Sequence, residues 1–231
     1  MMRTIGVIGG TSWQSSAVYY RLLNELVARR LGGSHSAKLA MISVDFADVE
    51  RAIRKQDWLA LESLIVASAR ALKAAGAEGL VIASGTMQRC ADAAGAAAGL
   101  EVIHLVDLTA DAIAARGLGK VGVLGTALTM TGPFYRPRLA ARHGVQTLSP
   151  EPDDAVEVNR IVFEELVLGQ IEESSREAYR RAMANLVARG AEGIVLGCTE
   201  QMLLVGEADA SVPVFDTTTI HVAAAVDWAL A

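Results

Sequence analysis

The sequence predicts an α/β protein made of two similar halves, each with a parallel β-sheet and flanking helices. Short apolar segments alternate along the chain with longer amphipathic segments, which is the pattern of βαβ units. Several of the apolar segments are continuous, as in strands that are buried on both faces of a parallel sheet. Two lines of sequence also occur twice at nearly the same offset, which favours a duplicated half.

Eight segments are predicted to be strands, because they are short, apolar and bounded by turn residues. They are 4–8, 39–44, 80–83, 102–105, 121–124, 145–148, 194–197 and 212–215. Helical patterns lie between them. Two of these patterns end at Gly32 and Gly76, and glycine is typical of the residue that follows the last helical turn.

The repeated lines define the two predicted halves. The line "GAEGLVIASGTMQ" begins at Gly76 and "GAEGIVLGCTEQM" at Gly190, while "IGVIGGT" at Ile5 is similar to "VGVLGT" at Val121. We therefore predict halves 1–115 and 116–231, related by a pseudo-two-fold axis, with the C-terminal helix able to pack back on the first half. The alternative is one doubly wound sheet, whose repeated lines only reflect rules common to all βα units.

Composition excludes several classes of protein. Hydrophobic residues make up 52% of the 231 residues and charged residues 20%, which predicts a folded globule. The net charge is -5 without a block of Lys and Arg, so nucleic acid and membrane surfaces are not expected partners. No apolar run is long enough to span a membrane, and the start lacks secretory features. Two cysteines form no disulfide framework, which predicts a cytoplasmic location.

Both repeated lines place a chemically distinctive residue at the carboxyl end of a strand, where open α/β sheets bind ligands. That residue is Ser84 in the first copy and Cys198 in the second. Each is followed by a turn into a short helix, whose N–H groups are expected to bind a substrate carboxylate; the turn residues are Gly85, Thr86, Thr199 and Glu200. The helix dipole also predicts a lowered pKa for Cys198. The alternative is that Cys198 is a small buried apolar residue.

If the two turns face each other, Ser84 and Cys198 lie on opposite sides of one small ligand. Moving a proton across a planar carbanion requires a base on one face and an acid on the other, which this arrangement supplies. Thr11 and Thr126 lie at the tips of the loops after the first strand of each half and are predicted to contact the same ligand.

Other residues have weaker signals. Gly6, Gly9 and Gly10 lie in and directly after the first strand and only partly match a dinucleotide-binding loop. Asp45, at the end of the second strand, would be the acidic residue of such a site. His221 is a possible partner of Cys198 or a structural histidine. Arg51 and Arg54 could bind a side-chain carboxylate or face solvent. The thiol of Cys90 lies outside the repeat register. No metal site is predicted from the spacing of the other histidines, which are His35, His104 and His143.

The motifs together resemble the aspartate/glutamate racemase family. The resemblance rests on "IGVIGGTSWQSSAVYY", "VIASGTMQ", "VGVLGTALTMTGPFY", "GIVLGCTEQM" and "VPVFDTTTIH", in that order along nearly the whole chain. It implies a homodimer, an active site between the two halves, and two thiols that exchange the α-proton of an acidic amino acid without pyridoxal phosphate. Cys198, Thr199 and Glu200 match the second cysteine motif of the family.

The first motif departs from the family. The family usually has Cys-Asn-Thr, then Met or Ala, then His, whereas this chain has Ser84, Gly85, Thr86, Met87 and Gln88. A thiol can be tuned to a thiolate, but a serine hydroxyl is a poor base. Efficient two-way racemisation is therefore predicted to be impaired.

Three functions are consistent with these residues. The first is a cofactor-independent racemase or epimerase of aspartate, glutamate or a related amino acid. The second is a decarboxylase or isomerase of the same superfamily that uses Cys198 alone, and the third is a non-catalytic binder of a small carboxylate. The intact second motif argues against the third.

Overall fold

The computed structural model describes residues 1–231 and contains two four-stranded sheets, each with parallel strands only. Each sheet belongs to its own compact unit. The first unit consists of Met1–His104 together with His221–Ala231, and the second of Leu105–Ile220. The predicted fold class, two similar α/β halves, is therefore confirmed.

The first unit begins with β1 and ends its contiguous part with β4. Its strands are β1 (Ile5–Gly9), β2 (Leu39–Ser43), β3 (Gly79–Ile82) and β4 (Glu101–Val102). Its helices are α1 (Trp13–Leu31), α2 (Phe46–Arg54), α3 (Trp58–Ala74) and α4 (Ala91–Ala98), with a 3₁₀ helix at Thr86–Cys90. A continuous apolar cluster joins the sheet to α3 and α4 and includes Ile8, Ile65, Leu72 and Leu80.

The second unit begins with α5 and contains the second sheet. Its helices are α5 (Leu105–Ala115), α6 (Ala127–Thr131), α7 (Tyr135–His143), α8 (Pro152–Glu164) and α9 (Glu173–Ala188). Its strands are β5 (Lys120–Leu124), β6 (Gln146–Leu148), β7 (Gly193–Leu196) and β8 (Val214–Asp216). Because α5 packs its apolar face on β5, β7 and α7, the structure divides before α5, whereas the sequence placed the boundary after it.

All eight predicted strands are present, with shifted ends. The largest difference concerns the segment 102–105, where β4 has only two residues and Leu105 already begins α5. The periodicity of a short apolar run does not distinguish a strand from a buried helix start, which explains this error. The predicted helix end at Gly32 is confirmed, since the N–H of Gly32 donates to the carbonyl of Ala28.

The strand order is the same in both sheets, β2-β1-β3-β4 and β6-β5-β7-β8. In each sheet the chain leaves the first strand toward one neighbour and later returns to the other side. The carboxyl ends of β1 and β3 therefore flank a topological switch point, as do those of β5 and β7. Ligands of open α/β sheets bind at such points.

The repeated "GAEG" line has a structural explanation. Gly76 and Gly190 follow α3 and α9 with φ of +90° and +92°, a region that favours glycine. A Cβ on Gly79 would lie 2.5 Å from the ring of Trp228, and a Cβ on Gly193 would lie 2.9 Å from Phe215. Each line therefore ends a helix and starts a strand beneath an aromatic ring.

The glutamate of each "GAEG" line also has the same role in both copies. Oε2 of Glu78 accepts the N–H of Thr4, and Oε2 of Glu192 accepts the N–H groups of Gly119 and Lys120. In each case the carboxylate satisfies backbone donors at the start of the neighbouring first strand. The line is thus a scaffold element, and the chemistry follows after it.

The last helix, α10 (Thr217–Leu230), begins in the second unit and continues into the first. Within the first unit, the carbonyl of Ala229 accepts the N–H of Arg3, and Nε1 of Trp228 donates to the carboxylate of Glu101. These contacts fasten its C-terminal part to the sheet of the first unit. None of the helices combines the length and the apolar character that crossing a membrane requires.

Candidate active site

Ser84 lies at the switch point of the first sheet, two residues beyond β3. Its hydroxyl accepts the N–H of Met87 over 3.3 Å, at the start of the 3₁₀ helix Thr86–Cys90. Ser84 is 9% exposed and Thr86 8% exposed, so both are largely enclosed. The Ser84 hydroxyl keeps its own proton for donation to another group.

The buried side chain of Gln88 stabilises the turn that contains Ser84. Its Nε2 donates to the carbonyl of Ile82 over 2.8 Å and to that of Ser84 over 3.2 Å. Buried backbone carbonyls at the end of a strand need such hydrogen-bond partners. Gln88 therefore holds the backbone of this turn in place.

Thr11 joins the same edge of the first sheet. Its hydroxyl donates to the carbonyl of Ala83, at 3.5 Å, next to Ser84. The loop before it packs tightly, since Gly10 has φ of +84° and a Cβ there would lie 2.1 Å from the carbonyl oxygen of Val44. The N–H of Gly10 donates to Oγ of Ser16, so this glycine serves local packing.

Cys198 occupies the matching switch point of the second sheet, beyond β7. Gly197 precedes it because a Cβ there would lie 2.7 Å from Thr129 and 2.9 Å from the carbonyl oxygen of Leu124. Thr126, in the corresponding loop after β5, is 6% exposed, and its hydroxyl caps α6 at the N–H of Thr129. The second unit therefore brings Thr126 and Cys198 to one sheet edge, as the first unit does with Thr11 and Ser84.

A buried glutamine also holds the Cys198 turn. Oε1 of Gln201 accepts the N–H of Cys198 over 3.1 Å, and its Nε2 donates to the hydroxyl of Tyr179 over 2.9 Å. Thr218 donates from its hydroxyl to the carbonyl of Thr199 at 3.4 Å. The turn is thus fixed from α9 and from the start of α10.

Glu200 lies beside the thiol. Sγ of Cys198 donates to Oε2 of Glu200 over 2.9 Å, and the hydroxyl of Thr199 donates to the same oxygen over 3.2 Å. Glu200 is 3% exposed and Thr199 2% exposed. The three consecutive residues of the motif form one compact polar group.

The predicted lowering of the Cys198 pKa is wrong. Burial raises the pKa of this thiol well above its ordinary value, and the carboxylate of Glu200 raises it further. The backbone N–H groups of Glu200 and Thr199 act in the expected, lowering direction, but the two opposing effects are larger. Burial and the charge of Glu200 together outweigh the lowering effect of the helix N-terminus.

Several residues considered from the sequence lie elsewhere. Arg51 and Arg54 pair on the exposed face of α2 with Asp48 and Glu50, three and four residues away. Cys90 is 1% exposed in the core of the first unit, where burial raises the pKa of its thiol to about 11.

His221 and His143 are engaged by other groups within their own units. Both ring nitrogens of His221 are occupied, by Tyr19 and by the carbonyl of Ile103. His143 pairs with Asp111 on α5. No group of three or more His, Cys, Asp or Glu side chains could hold a metal ion.

Sequence reasoning missed Gln88, Gln201 and Tyr179. The available signal was an amide side chain shortly after Ser84 and Cys198 in both repeated lines, in segments that are otherwise apolar. Tyr179 carried no local signal, because it belongs to a helix that precedes the motif in sequence and meets it only in the folded unit.

Known proteins share both the sequence and the fold of this chain. Residues 8–225 match the family described as Asp/Glu/Hydantoin racemase. A crystal structure of a candidate Asp/Glu racemase from Yersinia pestis has 49% sequence identity and a TM-score of 0.92, with 100% of both chains covered. An aspartate racemase homologue from Pyrococcus horikoshii has 31% identity and a TM-score of 0.85, again over 100% of both chains.

A more distant structural neighbour shares only its fold with this chain. Glutamate racemase from Francisella tularensis, solved in complex with D-glutamate, has 15% identity and a TM-score of 0.65, over 96% of this chain and 78% of that one. The family match spans nearly the whole sequence and includes both switch-point turns. This chain is therefore a member of the Asp/Glu/hydantoin racemase family, as its motifs predicted.

Proposed function

We propose that the protein is a cofactor-independent amino acid racemase or epimerase that transfers a proton at the α-carbon of aspartate, glutamate or a related amino acid. One observation carries the proposal: Cys198 and Ser84 occupy equivalent switch points of two sheets with the same strand order. Family membership and the aspartate racemase homologue at 31% identity support the same chemistry.

In the proposed reaction, Ser84 and Cys198 act on one α-carbon from opposite faces. The Cys198 thiolate takes the α-proton, so that the Cα–H bond breaks, an S–H bond forms and the electron pair stays on Cα. Conjugation with the substrate carboxylate spreads this charge, and hydrogen-bond donors at the site stabilise it. A proton delivered to the other face completes the inversion.

The residues around the two turns are proposed to bind the substrate. The hydroxyl groups of Thr11 and Thr86 and the backbone of Gly85 lie on the Ser84 side, and Thr126 and Thr199 lie on the Cys198 side. The backbone N–H groups of these turns suit the α-carboxylate of an amino acid, whereas the hydroxyls of Thr11 and Thr199 donate to Ala83 and Glu200 in this structure. Glu200 is an acceptor and would instead suit an ammonium group or the thiol itself.

Ser84 makes the proposed enzyme asymmetric. Its hydroxyl can donate a proton to a carbanion, but the reverse step would require an alkoxide. We therefore propose that inversion is slow in both directions, while Cys198 removes and returns a proton on its own face more rapidly. We also propose a homodimer, as the family resemblance implies, and a cytoplasmic location, as the use of only two cysteines predicts.

The test is α-proton exchange in D₂O, followed by proton NMR over a panel of amino acids and dicarboxylates. Loss of the α-proton signal from an acidic amino acid, abolished by Cys198→Ala, is the expected result. The second candidate, a decarboxylase, is favoured by the single thiol. It would instead release CO₂ from a substituted malonate and leave amino acids unchanged.

Absence of both α-proton exchange and CO₂ release with every substrate tested, in a folded and correctly assembled protein, would contradict both enzymatic functions and favour a binding protein. EDTA and hydroxylamine are expected to leave the exchange rate unchanged, because the proposed steps need neither a metal ion nor pyridoxal phosphate. Recovery of lost activity on adding either cofactor would oppose this mechanism.

A further inference from the structure

We propose that Glu200 is the proton acceptor of Cys198. The two side chains share one proton, and its transfer from Sγ to Oε2 generates the thiolate that takes the α-proton of the substrate. The catalytic consequence rests on the proposed function, whereas the sharing of the proton stands on the geometry of the second unit alone.

The geometry places the thiol in direct contact with a buried carboxylate. The distance from Sγ to Oε2 is 2.9 Å, which is short for a hydrogen bond from sulfur, and Glu200 is 3% exposed. The hydroxyl of Thr199 donates to the same oxygen over 3.2 Å. The hydrogen bonds of this carboxylate thus come from a thiol and a hydroxyl, and burial of a charge without a cation is costly unless such donors hold it.

This contact makes loss of the thiol proton to solvent unfavourable. It would leave a thiolate and a carboxylate with two negative charges about 3 Å apart in a water-poor site, the situation in which one of two acids keeps its proton. Transfer within the pair avoids this outcome. The S–H bond breaks, an O–H bond forms on Glu200, the electron pair stays on sulfur, and the net charge of the pair is unchanged.

The other titratable groups near the pair cannot take this role. Tyr179 from α9 and Tyr135 from α7 are fully buried, and burial raises the pKa of each phenol far above its ordinary value. Both phenols therefore stay neutral and protonated at and below neutral pH. Glu200 is the carboxylate within hydrogen-bonding distance of Sγ.

In the reaction, Glu200 acts on the substrate only through Cys198. After the proton has moved to Oε2, the thiolate takes the α-proton, and the pair then holds two protons instead of one. The thiol returns a proton to the carbanion, and Glu200 returns its proton to sulfur. The number of protons on the pair returns to its starting value, and exchange in D₂O follows when a deuteron from solvent replaces a proton of the pair before the return.

The decisive measurement is the rate at which iodoacetamide alkylates Cys198 as a function of pH, without substrate, with the label located by peptide mass spectrometry. A thiol that loses its proton to solvent reacts about tenfold more slowly for each pH unit of acidification. A thiolate formed by transfer to Glu200 keeps a constant population while the pair holds one proton. We expect a slow rate that is independent of pH below neutrality.

Glu200→Gln removes the acceptor and retains the shape of the side chain. We expect its alkylation rate to recover the tenfold dependence per pH unit, with a midpoint at lower pH than in the unmodified protein, because the neighbouring negative charge is gone. Glu164→Gln, which removes an exposed carboxylate at the end of α8, is the matched control and should keep the flat profile.

The outcomes separate this proposal from the proposed function. A tenfold dependence per pH unit in the unmodified protein overturns the shared proton, and this result requires no variant to fold. A flat alkylation profile without α-proton exchange on any substrate would sustain the pair and reject the racemase. Where exchange is observed, its rate should show the same flat profile, and Glu200→Gln should make it depend on pH.

Discussion

The hydroxyl of Tyr19 donates a hydrogen bond to Nδ1 of His221 over 2.9 Å. The direction follows from the other ring nitrogen, because Nε2 lies 2.6 Å from the carbonyl oxygen of Ile103 and must carry the proton. Both side chains are fully buried, and their rings meet edge to face. The neutral imidazole therefore links α1, the segment after β4, and α10 within the first unit.

This environment predicts a loss of stability at acid pH. Burial lowers the pKa of His221 from its ordinary value of 6.5 to about 4. Between these values the unfolded chain binds a proton that the folded chain does not, so the free energy of unfolding falls as the pH falls through this window. The loss is on the order of 3 kcal/mol, measured by urea unfolding across the same pH range.

His221→Gln should lower the free energy of unfolding at neutral pH, because one of the two hydrogen bonds is lost. It should also flatten the pH dependence between 6.5 and 4. His35→Gln is the control, since this histidine is exposed and the variant should keep the full dependence. An unchanged slope in His221→Gln would show that other groups cause it.

Two buried tyrosines of the second unit predict opposite effects of removing a hydroxyl. The hydroxyl of Tyr135 has no hydrogen-bond partner, and the nearby Thr109 hydroxyl donates to the carbonyl of Leu105 instead. Tyr135→Phe should therefore leave the free energy of unfolding unchanged or raise it by about 1 kcal/mol. Tyr179→Phe should lower it by about 1–2 kcal/mol, since Gln201 loses its acceptor.

Urea unfolding of the two variants side by side checks this prediction, because both substitutions remove the same atom from a fully buried ring. A larger loss in Tyr135→Phe than in Tyr179→Phe would contradict it. Tyr179→Phe should also reduce the α-proton exchange rate, since Gln201 positions the N–H of Cys198.

The two cysteines should differ in reactivity and in their effect on activity. Cys90 is 1% exposed whereas Cys198 is only partly buried, so iodoacetamide should label Cys198 first in the folded protein. Cys198→Ala should abolish α-proton exchange with the fold intact, whereas Cys90→Ala should retain it. Circular dichroism of both variants controls for folding, and full activity in Cys198→Ala would overturn the proposed site.

Ser84 predicts unequal exchange of the two enantiomers. The enantiomer whose α-hydrogen faces Cys198 should exchange in D₂O with retention, faster than it inverts, and its mirror image should exchange slowly. Ser84→Cys should narrow the difference and increase racemisation, with Ser84→Ala as the control that removes the donor. A tenfold gain corresponds to about 1.4 kcal/mol in the barrier. Equal exchange of both enantiomers in the unmodified protein would contradict the one-sided mechanism.

Much of the architecture was predictable because it depends on local pattern. Short, mostly apolar segments marked all eight strands, and glycines such as Gly32 marked helix ends, since periodicity and backbone conformation are properties of short stretches. The repeated lines predicted two α/β halves, and the strand ends predicted the positions of Ser84 and Cys198. The end of β4 was mispredicted because a short apolar run alone does not show whether it forms a strand or the start of a buried helix.

The sequence by itself determined which residues are available at each strand end and, through the family motifs, which chemistry they suit. Only the tertiary structure decided their electrostatic state. The Cys198 thiol has a raised pKa because folding buries it against Glu200, and His221 is neutral because Tyr19 and Ile103, distant in sequence, enclose it. Burial and the charges that surround a group depend on how separate elements pack, and no short stretch of sequence contains that information.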